Sequence, residues 1–248
     1  MARYAMVLDI NRCVDCKACV VACKTEWNVP EGYSRDWVKY LGPFKEKLEE
    51  DKPIQLNAAV YPGLCMHCDD PPCVDVCPSG ATYINKNGIV VVDQELCVGC
   101  GYCADACPYG ARYIHPELNV VDKCTFCAPR LEKGLDPACV ETCIAEARIF
   151  GDIDDKNSKV YKLVNEDGAV PFHREDINHG ANVYYMGKEK QIETLLKYAP
   201  LNNTKFSPAG TLWHVFRPLL GFAAGASFVG VTVAAVYQLV KGEPKIDE

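Results

Sequence analysis

The sequence predicts an α+β fold of two small duplicated modules, one inserted into the other, followed by a single C-terminal transmembrane helix. Three observations carry that prediction. Sixteen cysteines fall into four groups of four, the segments around them repeat, and residues 218–240 run without a charge. The 248-residue chain is 49% hydrophobic and 24% charged, which excludes disorder for its bulk and allows one or two domains. Its net charge of −7 argues against nucleic acid as a partner, because phosphate binding needs a surplus of Lys and Arg on one face. A chain of this length can build a hydrophobic core, so it has no need of cysteines as disulfide staples on this scale.

The cysteine spacing points to metal. The first group, CVDCKACVVAC, supplies Cys13, Cys16, Cys19 and Cys23; the second, CMHCDDPPCVDVCP, supplies Cys65, Cys68, Cys73 and Cys77. The third, CVGCGYCADACP, supplies Cys97, Cys100, Cys103 and Cys107, and the fourth is Cys124, Cys127, Cys139 and Cys143. Groups one and three have the C-x2-C-x2-C-x3-C spacing of [4Fe–4S] cubanes, and group three adds Pro108. Three thiolates on a tight loop can each reach a different iron of one cubane. The fourth, about one helical turn further on, points away and ligates the neighbouring cluster. Group two keeps this logic with a longer gap around Pro71 and Pro72. Structural zinc also uses C-x2-C pairs, but normally as two separated knuckles. The expectation is four [4Fe–4S] clusters.

The elements repeat around these groups. Val7-Leu8-Asp9 precedes Cys13 as Val91-Val92-Asp93 precedes Cys97, and CPSGATYI (77–84) is echoed by CPYGARYI (107–114). Each unit reads as a short strand, a cysteine loop, a short helix and a turn back into a strand, with Ile89–Val92 bounded by Asn87-Gly88. The swapped fourth cysteine then assigns the ligands. Groups two and three, adjacent in sequence, pair: Cys65, Cys68 and Cys73 with Cys107, and Cys97, Cys100 and Cys103 with Cys77. Groups one and four pair across the chain: Cys13, Cys16 and Cys19 with Cys143, and Cys124, Cys127 and Cys139 with Cys23. Group four ends in Cys143-Ile144 where proline is usual. The outer module is therefore expected over 1–64 and 108–200, the core of the inserted module over 65–107, a linker over 201–217, the transmembrane helix over 218–240 and a tail over 241–248.

The duplicated units resemble the two-cluster bacterial ferredoxin, here doubled. Over about residues 3–187, CMHCDDPPC, CVGCGYCADACPYG, KCTFCAPR, PACVETC, GDIDD (151–155) and NVYYMG (182–187) resemble one family. It is the four-cluster electron-transfer subunit of molybdopterin oxidoreductase complexes, which serves formate dehydrogenases and nitrate, dimethyl sulfoxide, polysulfide, thiosulfate and tetrathionate reductases. The resemblance implies a non-catalytic relay. Its partners would be a molybdopterin (Mo/W) catalytic subunit and an integral membrane subunit, of a quinone-handling, haem b or polysulfide-reductase type. In the nitrate reductase member a Trp replaces the second cysteine of the third group and leaves a [3Fe–4S] cluster; Cys100 stands there in this chain, which implies four cubanes. The family also implies that the third-group cluster lies nearest the membrane subunit.

The C-terminal run PLLGFAAGASFVGVTVAAVYQLV has 23 residues, which as a helix spans roughly 35 Å, enough for a bilayer core. Arg217 and Lys241 flank it, and Gly221, Gly225, Ala226 and Gly230 offer a small-residue packing face. A buried core helix rarely runs so long without a charged residue. The segment TLWHVFRPLL, with Trp213 and His214 as interfacial anchors, resembles the C-terminal anchor of the formate dehydrogenase subunit and turns the reading toward a respiratory formate dehydrogenase. A sulfur-compound reductase or a cytochrome-fed quinone reductase is the alternative, and a zinc-stabilised anchored scaffold is the remote one. No secretory signal precedes Met1-Ala2-Arg3-Tyr4. Lys241 and Lys245 after the helix, against Arg217 before it, predict a cytoplasmic C-terminus and a cluster-bearing part on the outer side of the cell membrane.

Other residues carry two readings each. His67, between two ligands, is a spacer or a hydrogen-bond donor beside a cluster. Lys17, Lys24 and Lys123 either offset the cluster charge of about −2 each or are solvated surface lysines. Trp27, Tyr33, Trp37, Tyr40 and Phe44 form either a docking surface or a cap over the first module. No Ser/His/Asp constellation, phosphate loop or GxGxxG is present, so the chemistry belongs to the clusters.

Overall fold

A computed structural model describes residues 2–46 and 55–202. The strand before the first cysteine group and the strand after the last pair with each other. β1 (Tyr4–Asp9) runs antiparallel to β8 (Arg148–Asp152), with Leu8 opposite Arg148, and parallel to β10 (Val183–Met186), with Met6 opposite Val183. β9 (Val170–Pro171) completes a sheet of order β8-β1-β10-β9. Ala5, Met6, Val7 and Leu8 are all fully buried, as an apolar run in a sheet covered on both faces must be. Alternation divides them: Met6 and Leu8 enter the main core with Tyr61, Phe172 and Tyr185, while Ala5 and Val7 meet Ile153 and Val160 on the other face. Val160 belongs to α6 (Lys159–Asn165), whose first turn is capped by the Ser158 hydroxyl accepting from the Tyr161 N–H at 2.9 Å.

Between those strands lie the repeated units. α1 (Ala18–Trp27) carries Cys19 and Cys23 of the first group, α2 (Pro72–Asp75) lies within the second, α3 (Tyr102–Asp105) within the third, and α4 (Ala128–Leu131) and α5 (Ala138–Glu141) within the fourth. Hairpin β4 (Thr82–Ile84) to β5 (Val90–Val92) joins groups two and three, and hairpin β6 (Arg112–Ile114) to β7 (Val121–Lys123) joins groups three and four. Each strand that leaves one group thus pairs with the strand that enters the next. The repeated aspartates end strands: Asp9 Oδ1 accepts from the N–H of Asn11 and Arg12, and Asp93 Oδ1 from that of Glu95 and Leu96. Val121 of β7 packs with Cys73, Val76, Val90, Cys103 and Ala106, so hairpin β6–β7 shares a core with segment 65–107.

The aromatic insertion forms a long hairpin, β2 (Asp36–Glu46) with β3 (Gln55–Leu64). It packs chiefly as a cap. Val38, Leu41 and Tyr61 enter the main core, Trp37 meets the Tyr61 ring edge-on, Tyr33 stacks on Tyr113, and Phe44 stacks at 3.7 Å on Tyr198 of α7 (Glu189–Tyr198). A Cβ on Gly63 would fall 2.4 Å from the Trp37 ring, so only glycine allows that packing. Tyr40 is exposed. No helix among the described residues is long and apolar enough to cross a membrane; the segments 218–240 and 241–248, most of 201–217, and the pair Trp213 and His214 lie outside them.

Candidate iron–sulfur sites

All four cysteine loops share one backbone device. The residue before the second cysteine is left-handed in each: Asp15 (φ 54°), His67 (44°), Gly99 (66°) and Phe126 (49°). Only one of these is glycine, and a Cβ there would meet the Asn119 carbonyl at 2.0 Å. Left-handed non-glycine residues are uncommon; their recurrence at one position shows the turn each loop needs to direct its thiols to one side. The closing turns repeat too. Three residues after the last cysteine, Gly80, Gly110 and Glu146 are left-handed. The third of these turns is hidden in the sequence because Ile144 and Glu146 stand where the other two have Pro and Gly.

The cysteines are all unbridged. Cys13, Cys16, Cys19 and Cys143 line one cavity, and Cys23, Cys124, Cys127 and Cys139 line a second. Each holds thiols from the two distant cysteine groups that spacing alone pairs. Cys65, Cys68, Cys73 and Cys107 lie close enough for their charges to act on one another, and so do Cys77 and Cys103. Cys97 and Cys100 sit on the loop that leads into Cys103, with the Cys97 sulfur accepting from the Val121 N–H at 3.4 Å. Among the described residues no three His, Cys, Asp or Glu side chains converge as they would on a single ion.

The donor chemistry fits an iron–sulfur cluster. Burial pushes the Cys73 and Cys139 thiols up to about 12, and raises Cys23, Cys68 and Cys124 further. Such sulfurs would be protonated at neutral pH unless bound cations took the proton's place. The surroundings are nonetheless built for thiolates. The Phe126 N–H points to Cys124 Sγ (3.4 Å), the Ala147 N–H to Cys143 Sγ (3.2 Å), the Trp27 indole N–H to Cys127 Sγ (3.3 Å), and Arg112 Nη2 to Cys73 Sγ (2.8 Å). At Cys77 burial is outweighed by hydrogen bonds from Thr82 and Ser79, and its thiol is lowered.

One sequence alternative is settled and another stays open. His67 is fully buried, its Nδ1 accepts from the Val90 N–H at 3.2 Å, its ring stacks at 3.7 Å on Phe126, and its buried Nε2, which carries the proton of the neutral ring, has no protein partner among the described residues. Burial, with the charges of Lys123 and Arg112, holds the imidazole neutral. Lys123 is no surface lysine: it is 1% exposed and donates to the carbonyls of Val90 and Cys124. Lys17 is exposed and pairs with Asp15 at 3.0 Å, and Lys24 is half-buried. Sequence reasoning passed over the buried ions. Arg35 grips Asp122 with two hydrogen bonds (2.7 and 2.8 Å), and Arg148 pairs with Asp36 at 3.1 Å. Arg112 and Arg148 both stand five residues after a closing cysteine, a periodicity that could have found them.

Residues 56–153 match the family described as a 4Fe-4S dicluster domain. With the cysteine cages, that match defines the class: an iron–sulfur protein built of ferredoxin-like units. The B component of tetrathionate reductase in Salmonella typhimurium is 44% identical over 195 residues, 78% of this sequence and 76% of that protein. The thiosulfate reductase electron transfer subunit of Salmonella typhi is 40% identical over 192 residues, covering 77% and 95%. The B component of polysulfide reductase in Wolinella succinogenes is 43% identical over 163 residues, covering 65% and 83%. The protein belongs to this family of iron–sulfur electron-transfer subunits of reductase complexes. These relatives are named for sulfur-compound reductases, so the expectation of a formate dehydrogenase gives way to the alternative set beside it.

Proposed function

We propose that the protein carries four [4Fe–4S] clusters and relays electrons in a sulfur-compound reductase complex, between a molybdopterin catalytic subunit and an integral membrane subunit that handles quinone or haem b. The ligand sets are Cys13, Cys16, Cys19 and Cys143; Cys23, Cys124, Cys127 and Cys139; Cys65, Cys68, Cys73 and Cys107; and Cys77, Cys97, Cys100 and Cys103. The observation that carries this reading is the first cage, in which thiols far apart in sequence surround one cavity. A bound cubane supplies one-electron transfer between its 2+ and 1+ states.

The protein's own residues order the sites and insulate them. Cys139 feels the charge of Cys19, and Cys124 that of Cys65, which links the first set to the second and the second to the third. Arg112 adjoins both Cys73 and Cys103, linking the third to the fourth. Cys16 and Cys100 are the two exposed cysteines, one at each end of that order, and each has an exposed valine two residues before it in the sequence, Val14 at one and Val98 at the other. Partners would dock at those ends, where a buried cluster comes close enough to exchange electrons. By family resemblance the Cys100 end faces the membrane subunit. The run 218–240 would anchor the protein there, with its cluster-bearing part on the outer side.

Iron and sulfide analysis with electron paramagnetic resonance on the purified complex tests the reading. About sixteen irons per chain are expected, four for each cubane, together with turnover on tetrathionate, thiosulfate or polysulfide. Stoichiometric zinc without a reducible cluster signal, or turnover on formate alone, would overturn it.

A further inference from the structure

The buried charges among the described residues do not balance. His67 aside, they are Arg35, Asp36, Arg112, Asp122, Lys123 and Arg148. Both carboxylates are taken: Asp122 by Arg35 and Asp36 by Arg148. Arg112 and Lys123 make no ion pair with a carboxylate among the described residues. A buried cation without a counter-charge costs several kcal/mol, so something negative must answer it. Arg112 points at sulfur: Nη2 donates to Cys73 Sγ at 2.8 Å, Nη1 donates to Thr82 Oγ1 at 3.2 Å, and the guanidinium charge also acts on Cys103. Four thiolates on a 2+ core leave a charge of about −2, which supplies the missing anion. Arg148 stands at the same place in its own repeat, five residues after a closing cysteine, yet Asp36 neutralises it; both side chains are 2% exposed.

We propose that Arg112 is a positioning residue of the relay, whose uncompensated charge raises the reduction potentials of the two clusters it bridges above that of the cluster held by Cys13, Cys16, Cys19 and Cys143, where Asp36 neutralises Arg148. The cluster held by Cys23, Cys124, Cys127 and Cys139 lies between, because Lys123 acts on Cys124. The clusters held by Cys65, Cys68, Cys73 and Cys107 and by Cys77, Cys97, Cys100 and Cys103 then fill with electrons before the first. Guanidinium is the right group for this, since it stays charged at any working pH and its planar fork reaches two acceptors at once. The inference rests on the four-cubane reading above.

The test is potentiometry followed by electron paramagnetic resonance on the full-length protein in its complex, with iron content measured in parallel. Arg112→Gln should shift the reduction equilibrium of at least one of the two clusters about tenfold toward the oxidised form, a fall of about 59 mV for one electron. Arg112→Lys, which keeps the charge, should restore most of that shift. Asp36→Asn, which uncovers the Arg148 charge, should move a neighbouring cluster the opposite way. Full iron content with unmoved potentials in Arg112→Gln would overturn the proposal, as would an equal fall in Arg112→Lys. Should Arg112→Gln fail to retain iron, unmoved potentials in Asp36→Asn overturn it. Absence of cubane signals from the unaltered protein would instead strike the four-cluster reading itself.

Discussion

Two regions of this molecule are held together by different means. The sheet β8-β1-β10-β9 and the aromatic hairpin packed on it bury Met6, Leu8, Tyr61, Phe172, Tyr185 and Leu195, an ordinary core of large side chains. The segment between residues 65 and 123 has three-residue strands and four-residue helices; it lends Met66, Ile89, Tyr109 and Ala111 to the main core, and its own small core is Cys73, Val76, Val90, Cys103, Ala106 and Val121. Such short elements cannot bury enough apolar area to offset the entropy of ordering them. Much of their stability must come from what the thiols bind. Metal binding there is folding free energy, whereas in the sheet hydrophobic burial suffices.

Removing the iron with chelator and oxidant breaks the comparison most directly. Hydrogen exchange should show hairpins β4–β5 and β6–β7 losing protection while β1 and β10 keep most of theirs. Uniform loss would mean that the sheet also depends on the clusters. Next in size is Asp122→Ala, which strands buried Arg35 and should cost about 3–5 kcal/mol in denaturant unfolding, as breaking a buried pair does. A cost within experimental scatter would make the pair incidental.

Cys100→Ser probes the exposed end of the wire. On the proposed order, dye-coupled turnover entering at the catalytic subunit should survive, while quinone-coupled turnover falls on the order of a hundredfold, about 2.7 kcal/mol. Equal loss of both would reverse or scramble the order of the sites. The smallest effect is expected at Ser158→Ala, in the conventionally packed region. Loss of the cap on α6 should cost about 1 kcal/mol and leave cluster signals unchanged; a change in those signals would show that the two regions are coupled.

Much of this was legible in the sequence, because ligand geometry leaves a local imprint. Cubane spacing, the Asp9 and Asp93 strand ends and the CPSGATYI and CPYGARYI echoes are all short-range patterns, and each reappears as a loop, a turn or a hairpin. Spacing also suggested which groups pair, and Cys143 lines a cavity with Cys13, Cys16 and Cys19 while Cys23 lines one with Cys124, Cys127 and Cys139. The substrate class was not legible. It belongs to a separate catalytic subunit, and a short resemblance near residue 213 pointed to formate where relatives over most of the sequence are sulfur-compound reductases.

What the sequence determined by itself, then, is the spacing of the cysteine loops and the order of elements, since both depend on contacts between near neighbours along the chain. Tertiary structure alone decided the electrostatics. That Asp36 neutralises Arg148, that Arg35 holds Asp122, that His67 turns its Nδ1 to the Val90 amide, and that Lys123 and Arg112 remain buried beside thiols are all contacts between distant segments. Spacing along a chain says where a charge is. Whether that charge is paired depends on which remote side chain folds against it, and with four buried basic residues and two buried carboxylates that pairing decides where the net positive charge lies.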